Sequence, residues 1–282
     1  MRAAVLGHPI AHSLSPVLHR AAYAALGLDW RYDAVDVSEG ELPAFVGGLD
    51  ASWAGLSLTM PLKQAVLPLL DHVEPLAEVV GAVNTVVVSR GGARPTLVGA
   101  NTDVHGIVAA LTEAGLAAAG PRHRAVVLGV GATAASTLAA LAQLDVVDPT
   151  VLARSVARAG ATMRAAHRMG VDATVRTLAP LERALDTLAQ ADVVVSTLPP
   201  HAADEIATAL PATGRRVRGV LLDCAYDPRP TALVSAWREA GGAAVTGERM
   251  LLHQAGEQVR LMTGSPAPIV AMDRALRVAL EA

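Results

Sequence analysis

The chain of 282 residues contains one lysine, Lys63, and 22 arginines. An arginine stays protonated in proteins, whereas a lysine can release and regain a proton. Because this sequence uses arginine wherever positive charge alone is needed, Lys63 is the first candidate for acid–base chemistry. It lies in Ser57-Leu58-Thr59-Met60-Pro61-Leu62-Lys63, directly after a predicted strand. The alternative is a lysine without function on a solvated surface, and composition alone does not decide between the two.

A second candidate site is the glycine-rich segment Gly129-Val130-Gly131-Ala132-Thr133-Ala134, which follows the predicted strand Ala125–Leu128 and begins a predicted helix. In this context the first glycine permits a tight turn, the second lets the backbone approach a pyrophosphate, and Ala134 provides the small third side chain. The helix N-terminus supplies free N–H groups to phosphates. A glycine-rich turn without a ligand is the alternative, and the strand-to-helix context disfavours it.

The next predicted strand ends in Ala153-Arg154-Ser155, where an NAD-selective site usually has Asp or Glu for the ribose 2′-hydroxyl. The nearby carboxylates, Asp145 and Asp148, precede this strand and lie at its other end. Arg154, with Arg158 one turn later, matches a 2′-phosphate in charge and geometry. We therefore predict NADP rather than NAD as the cofactor. The alternative, that the arginines only solubilise a helix start, fits Arg158 better than Arg154.

The segment Gly7-His8-Pro9-Ile10-Ala11-His12-Ser13-Leu14-Ser15-Pro16 predicts a helix start, with Ser15 at the N-cap and Pro16 at the first helical position. Two hydroxyls, those of Ser13 and Ser15, then lie beside a helix N-terminus and suit a small carboxylate ligand. Capping and anion binding are compatible, so both remain open. His8 and His12 are separated by Pro9 and no metal-binding pattern is present, so we expect no metal.

Composition excludes several classes of partner. The net charge is −3 and aromatic residues make up 2%, so neither nucleic acid nor an anionic membrane surface is expected. The single cysteine, Cys224, cannot form an internal disulfide. No apolar stretch is long enough to span a bilayer. We predict a cytoplasmic protein, either a monomer or a homodimer, that acts on a small molecule.

Alternation of short apolar strands with helical patterns predicts an α/β fold with mainly parallel sheets. The second series of strands, which starts at Arg124, predicts a doubly wound, Rossmann-like dinucleotide-binding domain over residues 105–244. The first domain spans 1–104. The two last helices, predicted at 247–262 and 267–281, have no strand between them. We therefore predict that residues 245–282 return to complete the first domain.

Taken together, these motifs resemble those of the shikimate dehydrogenase family, whose members reduce 3-dehydroshikimate with NADPH. The resemblance covers the whole chain in order. Its six segments are Pro9–Pro16, Ser57–Lys63, Gly81-Ala82-Val83-Asn84-Thr85, Asn101-Thr102-Asp103, Asp223-Cys224-Ala225-Tyr226-Asp227-Pro228 and Gly247-Glu248-Arg249-Met250-Leu251-Leu252-His253-Gln254. Any one of them could occur by chance, but six in the same order are specific.

The resemblance implies a role for each matching position. Lys63 and Asp103 would be the catalytic pair at the hydroxyl that is oxidised, and Ser13 and Ser15 would bind the substrate carboxylate. The other implied substrate contacts are Thr59, Asn84, Tyr226 and Gln254. The implied NADP contacts are Gly129, Val130, Gly131, Ala132, Thr133, Arg154, Ser155, Arg158, Cys224 and Gly247.

Three positions depart from the family pattern. Ser57 stands where the family often has Asn, so one substrate hydrogen bond is lost or mediated by water. Ala132-Thr133 replaces Gly-Ala, and Ser196–Pro200 replaces an Asn-x-Thr segment. Three alternatives remain open at this point: a quinate-type dehydrogenase, a folate-linked NADP dehydrogenase of similar layout, and a ligand sensor without catalysis.

Overall fold

The structure, a computed structural model, describes residues 1–91, 94–116 and 123–281. It divides into two compact units, one formed by Met1–Gly106 with Leu251–Ala282 and the other by Ile107–Met250. The sequence-based boundaries were 104/105 and 244/245. The C-terminal helices belong to the first unit, as predicted.

The first unit contains a six-stranded sheet of order β2-β1-β3-β5-β6-β4. Its strands are β1 (Arg2–Gly7), β2 (Arg31–Asp36), β3 (Trp53–Leu58), β4 (His72–Val73), β5 (Thr85–Ser89) and β6 (Thr96–Ala100). Its helices are α1 (Ser15–Ala25), α2 (Leu42–Gly47), α3 (Leu62–Ala65), α4 (Pro75–Val80) and α12 (Ile269–Glu281), with a 3-10 turn at Leu67–Leu69. Two further helices begin or end in this unit, α5 (Asp103–Glu113) and α11 (Gly247–Thr263).

This first sheet is mixed, with three parallel and two antiparallel strand pairings. β5 pairs antiparallel with both β3 and β6, whereas β1 pairs parallel with β2 and β3. The strands β4 and β6 were not predicted, because one has only two residues and the other contains Gly99 directly before its last residue. Because β3 and β5 are antiparallel, the C-terminal end of β3 and the N-terminal end of β5 lie at the same edge of the sheet.

The second unit has a sheet of six parallel strands in the order β12-β11-β10-β7-β8-β9. Its strands are β7 (Ala125–Leu128), β8 (Thr150–Ala153), β9 (Thr174–Thr177), β10 (Val193–Ser196), β11 (Val220–Asp223) and β12 (Ala243–Thr246). Its helices are α6 (Ala132–Gln143), α7 (Gly160–Arg168), α8 (Leu181–Ala189), α9 (Asp204–Ala212) and α10 (Ala232–Glu239), with a 3-10 turn at Val156–Ala159. The strand order is that of a doubly wound dinucleotide-binding fold, which confirms the predicted fold class.

The core of the second unit lies around its central strands. In the second unit the central strands are buried on both faces, as all-parallel strands covered by helices must be, and read as continuous apolar runs. The last strand, β12, was missed because it has only four residues, and the first two are alanines, which are depleted in strands. It adds a sixth strand at the edge beside β11.

A close approach inside the first sheet generates a testable prediction. A Cβ atom at Gly55, in β3, would lie 2.6 Å from the Val86 carbonyl oxygen and 2.8 Å from Met262 Cγ. Because the backbone oxygen cannot move without breaking the β3–β5 pairing, we expect Gly55→Ala to lower the free energy of unfolding by about 1–3 kcal/mol. Urea unfolding followed by fluorescence measures this change.

The matched control is Gly40→Ala, where a Cβ would meet nothing within 4 Å. That substitution should change the free energy of unfolding by less than about 0.5 kcal/mol. Equal effects of the two substitutions would contradict the packing of β3 against β5.

Candidate functional site

The only lysine forms an ion pair in the first unit. Lys63 lies in α3, and its Nζ is 2.5 Å from Oδ2 of Asp103, the first residue of α5. The side chains are only 12% and 4% exposed. A carboxylate in the first turn of a helix is favoured by the positive end of the helix dipole, which adds to the attraction of the ammonium group. The structure therefore brings together the two residues predicted as a catalytic pair.

Asn84 holds the other oxygen of that carboxylate. Its Nδ2 donates to Asp103 Oδ1 at 2.9 Å and to Gln254 Oε1 at 3.1 Å. Its Oδ1 accepts a hydrogen bond from the backbone N–H of Thr102 at 2.7 Å. Since a backbone N–H can only donate, this contact determines which way the carboxamide is turned. Both oxygens of Asp103 are therefore engaged, one by Lys63 and one by Asn84.

Backbone hydrogen bonds hold the segment around Asn84 against the elements that carry Lys63. The Val83 N–H donates to the Lys63 carbonyl at 2.8 Å, and the Leu58 N–H donates to the Asn84 carbonyl at 2.7 Å. Asn84 directly precedes β5, so its place follows from the antiparallel pairing of β3 and β5. The relative position of Lys63, Asn84 and Asp103 is thus a property of the sheet edge.

The amide of Gln254, on α11, completes this cluster. Its Nε2 donates to the Leu251 carbonyl at 3.1 Å, which leaves its Oε1 facing Asn84. The residue is buried. Lys63, Asp103, Asn84 and Gln254, four of the residues predicted for catalysis and substrate binding, are therefore joined by direct hydrogen bonds.

The two predicted carboxylate-binding serines lie at the start of α1, but the predicted cap is wrong by one residue. Ser15 is the first residue of α1 and Leu14 takes the N-cap position, with no side-chain cap. The helix begins early because the N–H groups of Val17 and Leu18 already donate to the Leu14 carbonyl. Ser13 Oγ accepts the Ser15 N–H at 3.3 Å. Thus neither hydroxyl caps α1 in the predicted manner.

Thr59, the remaining predicted substrate contact of this unit, follows β3 and lies against Gly7 at the end of β1. A Cβ at Gly7 would lie 3.1 Å from the Met60 carbonyl oxygen and in collision with Thr59 Cγ2. Glycine at position 7 is therefore required for this close approach. Among the described residues, no side-chain hydrogen bond joins Ser13 or Thr59 directly to the Lys63 cluster.

A buried polar network beside this cluster was missed by the sequence interpretation. Gln258, on α11, donates to the Asn84 carbonyl at 3.1 Å and to Thr85 Oγ1 at 3.0 Å. Its Oε1 accepts from Ser57 Oγ at 2.8 Å and lies 3.2 Å from His19 Nε2. One signal was available, since Gln258 lies four residues after Gln254 in a predicted helix and so shares its face.

Ser57 makes two hydrogen bonds inside this network. Its hydroxyl donates to Gln258 and accepts from the Tyr32 hydroxyl at 2.6 Å. The proton of Ser57 is therefore not available to a ligand.

His19 is the buried titratable group of the network. Its ring stacks on Tyr32 with centroids 3.9 Å apart, and it is fully buried. Burial lowers the pKa of His19 from 6.5 to about 3, although the hydrogen bond to Gln258 acts in the opposite direction. Burial also raises the pKa of the neighbouring Tyr32. Both groups are neutral near pH 7.

The glycine-rich loop of the second unit has the conformation that a pyrophosphate site needs. Gly129 has φ of +108°, and a Cβ there would lie 2.5 Å from Thr197 Oγ1. Thr197 follows β10, so this contact marks the point where strand order reverses, between β7 and β10. Gly131 is the N-cap of α6, which has no side-chain cap, and a Cβ there would meet nothing within 4 Å. The first N–H groups of α6 are thus open to an anion, as a bound dinucleotide requires.

The two predicted 2′-phosphate ligands are exposed and unpaired. Arg154 follows the last residue of β8, and Arg158 lies in the 3-10 turn that precedes α7. Among the described residues, neither guanidinium has an ion pair or a side-chain hydrogen bond. Ser155 lies between β8 and this turn. These residues therefore fit NADP, since two free guanidinium groups stand at the carboxyl end of β8 and no carboxylate is paired with them.

Two other predicted cofactor contacts lie close together in the second unit. Gly247 begins α11, and a Cβ there would collide with the Cys224 carbonyl oxygen. Cys224 follows β11, and its N–H donates to the Ser196 carbonyl at 2.8 Å. Tyr226, predicted as a substrate contact, also belongs to the second unit.

Two features are absent from the described residues. No group of three or more His, Cys, Asp or Glu side chains is placed to hold a metal ion. None of the helices in the described part of the chain has the length and apolar character needed to cross a membrane.

Comparison with known proteins identifies both units. Residues 5–86 match the family model of the shikimate dehydrogenase substrate binding domain, and residues 247–277 match that of the shikimate 5'-dehydrogenase C-terminal domain. Residues 125–245 match the saccharopine dehydrogenase NADP binding domain. A shikimate dehydrogenase (NADP(+)) of Moorella thermoacetica is 37% identical over 99% of this chain and 93% of that protein.

Solved structures give the same result. A shikimate dehydrogenase crystal structure from Mycobacterium tuberculosis is 41% identical, with a TM-score of 0.86 over 98% of this chain and 99% of that chain. A shikimate 5-dehydrogenase of Thermus thermophilus in complex with NADP(H) and shikimate is 34% identical, with a TM-score of 0.82 over 99% of both chains.

The buried His19 generates a prediction for stability against pH. In the unfolded chain it titrates near 6.5 and in the folded protein near 3, so unfolding takes up a proton between these values. The contribution of His19 is complete above pH 6.5 and is lost as the pH falls towards 3, at up to about 1.4 kcal/mol per pH unit. In His19→Gln, the slope of unfolding free energy against pH from 6 to 4 should be smaller by about one proton.

Urea unfolding at several pH values measures these slopes. The control is Tyr23→Phe, which removes the hydroxyl 3.4 Å from His19 Nδ1 but no group that titrates in this range. It should keep the wild-type slope. An unchanged slope in His19→Gln would show that His19 is not buried as a neutral ring.

Proposed function

The chain belongs to the shikimate dehydrogenase family, and from this premise we propose that Lys63 and Asp103 are its catalytic pair. The protein is an NADP-dependent oxidoreductase that acts on a CH–OH group. Its reaction is the reversible reduction of 3-dehydroshikimate to shikimate, a step of the shikimate pathway. The observation that carries the residue assignment is the contact between the only lysine and a buried carboxylate.

Lys63 acts on the oxygen of the reacting carbon. NADPH, when bound, supplies the hydride. As the carbonyl is reduced, its oxygen gains negative charge, which a nearby ammonium group stabilises. Lys63 then donates a proton to that oxygen as a general acid, so one hydride and one proton convert the ketone to the alcohol. In the reverse direction, the neutral amine takes this proton back.

Asp103 keeps the ammonium group in place. Its Oδ2 accepts a hydrogen bond from Lys63 and its Oδ1 accepts one from Asn84, so the carboxylate cannot turn away from the lysine. A general acid must lie within hydrogen-bond reach of its target, and small displacements reduce the rate steeply. Asp103 thus contributes orientation to the reaction.

The substrate is bound by residues around this pair. Among the described residues, Gln254 Nε2 donates only to the Leu251 carbonyl, so its second proton is available to a hydroxyl group of shikimate. The amide of Asn84 is used within the cluster, and its hydrogen bond to Gln254 Oε1 holds that residue beside the pair. Ser13 and Ser15, at the start of the 11-residue helix α1, bind the carboxylate, because hydroxyls and a helix N-terminus both favour an anion. Thr59 provides a further substrate contact in this unit.

The cofactor is held in the second unit. The loop from Gly129 to Thr133 receives the pyrophosphate at the open N-terminus of α6, while Arg154, Ser155 and Arg158 bind the 2′-phosphate. Cys224 and Gly247, whose backbones approach each other closely, would also contact the cofactor, Gly247 near its nicotinamide. The support for this assignment is the φ of Gly129, the open space at Gly131 and the unpaired guanidinium groups of Arg154 and Arg158.

The alternatives left open by the sequence are not favoured. Curated relatives that match nearly the whole chain are shikimate dehydrogenases (NADP(+)), which disfavours a quinate-type or folate-linked enzyme. The intact contact between Lys63 and Asp103 disfavours a sensor without catalysis. We further propose that the enzyme works in the cytoplasm as a monomer or a homodimer. Light scattering of the purified protein tests the oligomeric state.

The catalytic role of Lys63 is tested by replacing it with arginine. Lys63→Arg keeps the positive charge but cannot give up its proton, so we expect kcat for NADPH oxidation with 3-dehydroshikimate to fall roughly 10²-fold or more. Gln64→Arg, which places an arginine at the next, exposed position of α3, should keep wild-type turnover. NADPH absorbance measures both rates.

Asp103→Asn should also reduce kcat, because the amide removes the charge that orients Lys63. Near wild-type turnover in Lys63→Arg would contradict the general-acid role. An inactive wild-type protein that still binds NADPH would instead point to another substrate.

The cofactor assignment predicts a change in selectivity. Loss of charged hydrogen bonds to the 2′-phosphate in the double variant Arg154→Ser/Arg158→Ser should lower kcat/KM for NADPH about 10–100-fold. Because NADH lacks this phosphate, its kcat/KM should change little. Arg183→Ser, which removes an exposed arginine of α8, is the control and should leave both values unchanged. Equal losses with both cofactors would contradict the proposed 2′-phosphate site.

A further inference from the structure

Behind the proposed catalytic pair, a continuous chain of buried hydrogen bonds leads from Asp103 to Gln258 and His19. It runs from Asp103 through the side chain of Asn84 to Thr85, and from Thr85 to Gln258. Gln258 is 1% exposed. No step of the proposed reaction uses Gln258, Ser57 or His19, yet their polar groups lie in the interior beside the active residues.

The geometry determines the orientation of the Gln258 carboxamide. The Asn84 carbonyl, 3.1 Å away, can only accept a hydrogen bond, so the nitrogen of Gln258 must face it. The oxygen of Gln258 must then face Ser57 and His19. Both of these groups therefore donate to it, and His19 carries its proton on Nε2. All four hydrogen-bonding positions of the Gln258 amide are occupied.

The Thr85 hydroxyl links the Gln258 amide to the side chain of Asn84 by two hydrogen bonds. The second proton of the Gln258 amide is donated to Thr85 Oγ1 at 3.0 Å, so the Thr85 hydroxyl accepts from that side. Its own proton is then directed to Asn84 Oδ1, 2.9 Å away. Gln258 thus contacts the backbone of Asn84 directly and its carboxamide through Thr85.

We propose that Gln258 is a positioning residue for the Lys63–Asp103 pair, which it orients through Asn84 and Thr85. This inference rests on the proposed function for its kinetic consequence, but the orientation itself is a property of the folded first unit. Gln258 holds Asn84 from both its main chain and its side chain. Asn84 in turn holds the Asp103 oxygen that Lys63 does not contact.

Two substitutions at position 258 remove the amide protons in different ways. The methionine in Gln258→Met fills a similar volume but cannot donate a hydrogen bond to Asn84 or Thr85. We expect kcat to fall about tenfold or more, because the Lys63–Asp103 pair is then misplaced. Gln258→Glu retains the acceptor for Ser57 and His19, but its carboxylate cannot donate until it is protonated. The ratio of its kcat to that of the wild type should therefore rise as the pH is lowered from about 9 to about 6.

The matched control is Val259→Ala. Val259 is fully buried and is the next residue of α11, but it has no polar group in the network. Its truncation lowers the thermal stability while leaving kcat at the wild-type value at a temperature where the protein is folded. A merely structural role of Gln258 would make Gln258→Met behave in the same way.

The single lysine allows a measurement that does not depend on turnover. Protein labelled with 13C at the lysine ε-carbon gives one lysine NMR signal, which comes from Lys63. We expect this signal to move in Gln258→Met and to stay at its wild-type position in Val259→Ala. If both position-258 variants fail to fold, Thr85→Val removes the same link from its other end and should move the signal in the same sense.

A Lys63 signal that is unchanged in Gln258→Met, or in Thr85→Val where the former does not fold, would overturn the proposal. So would a kcat ratio for Gln258→Glu that does not vary with pH. Failure of the proposed function is distinct, because it leaves the wild-type protein without activity on 3-dehydroshikimate while the NMR comparison still decides the role of Gln258.

Discussion

An ion pair almost wholly removed from water is the constraint on which the first unit depends. Charges inside a protein are tolerated only when each is paired and the remaining polar atoms are satisfied. The Lys63–Asp103 pair meets this condition through Asn84, which binds the second carboxylate oxygen. Asn84 then needs partners of its own, and these lie on β5, α5 and α11. The requirement to satisfy one buried pair thus extends through four elements of the unit.

This dependence explains why so many polar residues lie in the interior near the pair. Asn84, Thr85, Thr102, Gln254 and Gln258 are all buried, and hydrogen bonds connect them. In a medium of low polarity such bonds are strong, and an unsatisfied member is correspondingly destabilising. The network therefore has few alternative arrangements, which suits a site where a proton must be delivered at a defined place. His19 joins it in neutral form, because burial opposes its charge.

The proposed pyrophosphate site of the second unit follows a different principle, because backbone rather than side chains forms it. Gly129 and Gly131 open the first turn of α6, and the reversal of strand order places Thr197 against Gly129. A unit of this kind serves many reactions, as its match to a saccharopine dehydrogenase domain illustrates. The first unit, whose match is to the shikimate dehydrogenase substrate binding domain, is the one that contains the proposed acid–base pair.

The sequence alone determined the fold class, the cofactor type and the residues whose side chains could take part in catalysis or binding. Strand and helix periodicity, the glycine spacing at 129–131, the arginines after β8 and the single lysine are all local signals, readable within a few residues. The misses were also local. β4 and β12 carry weak strand signals, and the cap of α1 shifted because the chain turns helical one residue before Ser15.

Only the tertiary structure decided which of these residues meet and what supports them. Gln258 lies 239 residues from His19 and 201 from Ser57, and its polar side chain gave no sign of those partners. Nor could the sequence show that the Ser57 hydroxyl donates to Gln258, or that Asn84 holds Asp103. Hydrogen bonds depend on distance and direction in space. Both are set when the antiparallel strand β5 and the returning helix α11 pack together. The periodicity of residues along the chain does not specify this packing.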